Sequence, residues 1–117
     1  MIEKALNRKL TLQEEELVIW LIKNGQNSDE SYLDQVNDLR VASYCKCGCA
    51  SIDFKVINSG FNVVSDFLYR EESGNLMGIY LFETENQLAG LDLWSVDGGA
   101  TPKELPDIES LFPFENQ

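Results

Sequence analysis

Apolar residues recur at helical spacing in two N-terminal stretches and then, from about residue 40, at every second position. In the first stretch Leu17, Trp20, Leu21 and Asn24 share one face, with Val18 and Ile22 beside it, and this predicts a helix over about residues 11–24. Thr11-Leu12-Gln13-Glu14 matches a capping box, in which the threonine hydroxyl accepts from the Glu14 N–H and the glutamate reaches back. Glu14, Glu15 and Glu16 suit the positive end of the helix dipole and Lys23 the negative end. Asn24-Gly25 supplies the stop, read here as a left-handed glycine cap. A second helix is expected over about residues 28–39, with Ser28 as N-cap and Tyr32, Val36 and Leu39 at helical spacing beside Leu33.

Beyond it, β-branched and aromatic residues alternating with polar ones predict strands over about residues 41–46, 51–57, 62–70, 76–83 and 87–96. Turns fall at Asn58-Ser59-Gly60, residues 71–75, Glu85-Asn86 and Asp97-Gly98-Gly99. Connections this short exclude parallel crossovers. The expected fold class is therefore α+β: two N-terminal helices packed on an antiparallel β-meander of about five strands, in a single domain over residues 1–117. The tail over residues 100–117, with Pro102, Pro106 and Pro113, has room for one short turn near 107–112.

The fourth expected strand is apolar on both sides, Met77, Ile79 and Leu81 against Tyr80 and Phe82, as a central strand covered twice should be. Helices cover one face. If Val63, Phe67, Leu91 and Leu93 point toward them, the other face carries Val64, Asp66, Leu68, Asp92, Trp94 and Tyr80. Acids mixed with large aromatics on an open face mark an interaction surface. The competing reading is a shifted register, or the tail lying over these side chains.

Charge sharpens this picture. The 117 residues hold 20 acids, 9 bases and no histidine, a formal charge of −11. From Glu71 onward Lys103 is the one base. So acidic a chain repels a phosphate backbone, which excludes nucleic acid as a direct partner and favours a basic protein. Without imidazole there is no Ser-His-Asp triad, no Cys-His pair and no His-based zinc site. The first nine residues lack the apolar core of a secretory signal, and the run from Leu17 to Ile22 falls far short of the ~20 residues that span a bilayer. The expectation is a cytoplasmic protein with reduced thiols, no membrane partner and no cofactor.

Two kinds of chemistry need weighing. Cys45-Lys46-Cys47-Gly48-Cys49 offers three thiols as metal candidates, but a closed zinc site wants four ligands, and single-residue gaps on a strand wrap a tetrahedron poorly. Small cysteines buried at a hairpin fit better. Asp53, Asp66 and Asp92 lie on different strands and would have to converge to serve a carboxylate-dependent hydrolase, yet no motif singles out two of them. No residue is therefore assigned a catalytic role. The residues expected to meet a partner are Asp53, Asp66, Asp92 and Trp94, with Glu83 and Glu85 at the edge.

Arg8-x-Leu10-Thr11-x-x-Glu14-x-x-Leu17-x-x-Trp20-Leu21, followed by Cys45-x-Cys47-Gly48-Cys49-x-Ser51-Ile52-Asp53-Phe54, resembles a group of small bacterial proteins of obscure biochemistry. Gly78, Leu81-Phe82, Leu91-x-Leu93 and Asp97-Gly98 extend that likeness over most of the chain. In size, acidity and helix-plus-sheet pattern the chain is also similar to immunity proteins of contact-dependent growth inhibition and other polymorphic toxin systems. That likeness implies a non-enzymatic inhibitor whose partner is a toxin, in particular a nuclease domain with a basic cleft. The alternatives are a binding or regulatory module with a Cys-bound metal, and the hydrolase.

Overall fold

A computed structural model describes residues 7–44, 50–55, 57, 60–98 and 102–113. After a two-residue strand β1 (Arg8–Lys9) comes helix α1 (Leu12–Asn24), then a 3-10 helix over Glu30–Asp38. Four short strands follow or flank the sheet: β2 (Arg40–Val41), β3 (Ser43–Tyr44), β4 (Ile52–Asp53) and, in the tail, β8 (Phe112–Pro113) after a 3-10 turn over Ile108–Ser110. The long strands are β5 (Asn62–Arg70), β6 (Leu76–Thr84) and β7 (Gln87–Ser95). β1 and β2 form a small antiparallel ribbon. The other six form one antiparallel sheet in the order β3-β4-β7-β6-β5-β8.

This overturns the expected pair of helices on a five-stranded meander. The fold is dominated by its sheet, and among the described residues only α1 is an α-helix. In the second helical segment Leu33, Val36 and Leu39 recur every third residue, which aligns them along a helix of three residues per turn, and all three meet the core. The strand order also departs from a meander. β4 pairs with β7 rather than with β5, its neighbour in the chain, and the tail adds β8 beside β5. Alternation along a chain reports which side chains share a face; it carries no information on which strand lies next door.

At the start of α1 the capping box forms as expected: the Glu14 N–H donates to Thr11 Oγ1 at 3.1 Å and the Thr11 N–H to Glu14 Oε1 at 2.9 Å. Arg8 adds a two-pronged bond to the same carboxylate, 3.0 Å on each side. Burial pushes the Glu14 carboxyl up, but bonds from Arg8 and from the Thr11 N–H outweigh it and leave it below the usual carboxylate range. The helix stops at Gly25 for a reason the sequence hid. Gly25 is extended (φ −75°), not left-handed, and a Cβ there would stand 2.7 Å from the Ser65 Cβ and 2.8 Å from the Leu21 carbonyl. The glycine lets the helix end settle on β5.

Leu17, Val18, Leu21 and Ile22 bury against Phe67, Met77, Ile79, Leu81, Leu91 and Leu93 from the three long strands. Trp20 meets Phe67 edge-on at 4.9 Å. A β-bulge between Val63 and Ser65 turns Val64 into this core (1% exposed) and Val63 out of it, the reverse of the expected orientation. Among the described residues no helix is long and apolar enough to cross a membrane.

Two glutamines stitch the irregular places of the sheet. Gln35 donates to the Asn86 carbonyl (2.9 Å) and accepts from the Leu88 N–H (2.8 Å), where β7 shifts register against β6. Gln26 likewise donates to the Asp66 carbonyl and accepts from the Asp66 N–H, 3.1 Å each, and the Asn27 N–H donates to the Val64 carbonyl.

Candidate functional site

Helix α1, the longer 3-10 helix and the tail residues Leu105, Ile108 and Leu111 all pack against the same core. The tail from Leu105 to Leu111 therefore lies on the helical side, whereas Phe112 on β8 stands opposite Leu68 and so projects to the other face. The opposite face of the sheet is built by side chains that the register places in rows, since directly opposed residues project to one side. One row is Asp66–Tyr80–Asp92 and the next Leu68–Gly78–Trp94. A third runs Val63–Phe82–Gly90 and continues to Asp53 on β4 and Ser43 on β3, where the Ser43 hydroxyl donates to Asp53 Oδ2 at 3.2 Å.

Aromatic rings lie flat over glycines in two of these rows. A Cβ on Gly78 would run into the Trp94 indole, and one on Gly90 into the Phe82 ring. Each glycine thus makes room for a ring from the adjacent strand to lie across it. Phe61, just before β5 and 48% exposed, stacks nearly parallel on Tyr80 (6.3 Å between centroids, 10° between planes) and touches Phe82 at 4.9 Å. Together the rings pave the face, with Phe61 and Tyr80 tilted by 55° and 49° from the plane of Phe82.

Three carboxylates surround that pavement. Burial pushes the Tyr80 hydroxyl well above its ordinary value, and a hydrogen bond to Asp92 and the charges of Asp92, Asp66 and Asp53 push it further. All three aspartates therefore act on one phenol. Burial also raises the Asp66 carboxyl, whose Oδ1 is buried with no hydrogen-bond partner. A buried acceptor left unpaired costs free energy, on the order of 1–3 kcal/mol. Among the described residues no group of three acids or cysteines is placed to hold a metal ion.

The structure thus brings Asp53, Asp66, Asp92 and Trp94 to one face, with Trp94 half-buried over Gly78. Glu83 is elsewhere. It follows Phe82 and so projects to the helical side, 7% exposed, where it accepts from Asn62 Nδ2 (2.8 Å) and from the Asn86 N–H (2.7 Å). This removes Glu83 from the candidate surface. Glu85 is exposed at the tip of the β6–β7 turn, in a left-handed conformation (φ 53°) with Asn86 (φ 67°), as a two-residue hairpin loop of this hand requires. Cys45, Cys47 and Cys49 lie outside the described residues. Phe61 carries no signal in the sequence, and Phe82 shows there only as an apolar residue of the central strand; what marks Phe82 and Trp94 is a glycine opposite each ring, which becomes visible only with the register.

Elsewhere, an open groove of about 690 Å³ runs between the β5–β6 hairpin and the tail, lined by Tyr69, Arg70, Glu71, Lys103 and Asp107 among others. Burial and the nearby Glu71 push the Tyr69 phenol up to about 12, so it stays protonated and supplies no base at neutral pH.

Residues 7–105 match the family described as a domain of unknown function (DUF6984), and the chain belongs to that family. No curated protein and no solved structure matches it.

Proposed function

We propose that this member of the family is an immunity protein, acting in the cytoplasm, that binds and neutralises a bacterial toxin through the outer face of its sheet and performs no chemistry of its own. The observation that carries the reading is the gathering of Asp53, Asp66 and Asp92 around Tyr80, beside Phe61 and Trp94, on a face that no described helix covers. A toxin nuclease holds its substrate in a basic cleft, and an inhibitor of such a cleft needs fixed negative charge with a few aromatic anchors. The overall charge of −11 adds long-range attraction that speeds encounter.

The test is neutralisation. A toxin domain encoded next to this gene, expressed in bacteria, is expected to arrest growth alone and to permit it when this chain is co-expressed. Association of the two purified proteins should slow as salt rises to physiological strength and the Debye length shrinks to about 8 Å. Continued arrest in the presence of the chain, with both proteins folded and abundant, refutes the immunity reading.

A further inference from the structure

We infer that the Phe61–Tyr80 stack with Asp66 beside it is a seat for an arginine side chain of the partner, so that the outer face selects arginine over lysine rather than answering to positive charge alone. The inference rests on the docking surface proposed above and specifies what that surface recognises.

Three features converge on it. Asp66 stands next to Tyr80 in the register, and while its Oδ1 is buried its other carboxylate oxygen is open to a donor from outside. Asp92 stands on the far side of Tyr80, so the ring lies between two carboxylates. Phe61 offers an aromatic face to solvent while its other side rests on Tyr80. An ammonium ion would answer the charge but remains strongly hydrated and has no plane to lay on a ring. A guanidinium is planar, weakly hydrated and carries five donors in a fork, so it can lie on Phe61 and turn its donors toward the acids flanking Tyr80. The adjoining rings and acids keep the approach electronegative, which strengthens a cation over a π-face.

The measurement uses the full-length protein with short oligoarginine and oligolysine peptides of equal length and charge, titrated at physiological salt and followed by amide chemical shifts. Oligoarginine is expected to bind about fivefold more tightly, the size of one exposed cation–π contact. The largest shifts are expected at Phe61, Asp66 and Tyr80. Phe61→Leu, at an exposed position, should erase the preference and leave the salt-dependent binding of both peptides. Asp66→Asn should weaken oligoarginine more than oligolysine, with unchanged spectra elsewhere showing that the fold is intact. Equal affinity for the two peptides, with shifts still on this face, overturns the arginine seat and leaves the acidic docking surface standing. A preference that survives Phe61→Leu overturns it as well. Shifts confined to other acidic regions, or no binding, overturn the seat and the docking surface together.

Discussion

A methyl group added at Gly78 tests how the outer face is built. In Gly78→Ala the new carbon would collide with three atoms of the Trp94 indole, and even the most distant of them, Cζ2, would stand 2.7 Å away. Carbon atoms rest at about 3.5–4 Å, so the ring must lift by roughly 1 Å or swing off the strand. Overpacking of this kind costs about 2 kcal/mol. Trp94→Ala alone should cost about 1–2 kcal/mol, because a half-buried ring forfeits less than the ~3–5 kcal/mol of a core tryptophan. Once the ring is gone the three nearest obstacles to the methyl go with it, and alanine in a strand interior is better than glycine by about 0.5–1 kcal/mol. The same substitution therefore changes sign with background, and the coupling in a double-mutant cycle should be about 3 kcal/mol. Urea denaturation of the four proteins, followed by far-ultraviolet circular dichroism, measures it. Costs that simply add would mean that the indole does not lie on Gly78. A Trp94→Ala variant that cannot fold would place the ring in the core and end its candidacy as a partner contact.

Further outcomes follow from the titratable groups. The Glu14 carboxyl is held below its ordinary value of 4.5, so its contribution is present above that pH and is lost as pH falls through the lower folded value. Glu14→Gln should lower stability at pH 7 and flatten the acid limb of a Tm-against-pH curve; an unchanged acid limb would discount the Arg8 pair. Asp66 behaves oppositely: its raised carboxyl imposes a penalty that is absent below the ordinary value of 3.8 and complete above the folded one, so Asp66→Asn should raise Tm at neutral pH while weakening partner binding. Glu83→Ala should cost about 2–3 kcal/mol by leaving the Asn86 N–H and the Asn62 amide unpaired, whereas Glu85→Gln should leave melting unchanged and only slow association with a basic partner. Equal effects of these two on melting would contradict their assignment to opposite roles.

The three long strands and the capped first helix were legible because each rests on residues within one turn or one pleat of each other, whereas the strands expected over 41–46 and 51–57 appear only as two-residue pieces. Thr11 with Glu14, and the alternation of Met77, Ile79 and Leu81, are local patterns with local causes. The fold class was not legible, because the placing of β4 beside β7 and of β8 beside β5 is decided across distances that periodicity does not report. One inserted residue was enough to mislead: the bulge at Val64 reverses the faces of Val63 and Val64 while Phe67 keeps the expected side. Three aspartates and Trp94 could be placed on one face since strand parity alone assigns them. Glu83 was misjudged because its proximity to Glu85 in sequence hid the fact that successive residues in a strand point to opposite sides.

The pairing of Gln26 with both polar groups of Asp66 has a meaning for colloidal behaviour. β8 is two residues long, so most of the outer rim of β5 would otherwise present bare amides and carbonyls to a neighbouring molecule. Such a rim is a template for strand addition and the start of edge-to-edge aggregates. Gln26 occupies the exposed groups at Asp66, the Asn27 amide occupies the Val64 carbonyl, and β8 pairs at Leu68. The Gln26 side chain and the Asn27 backbone, from the loop after α1, thus act as a false strand, one too short and too polar to be extended by another chain.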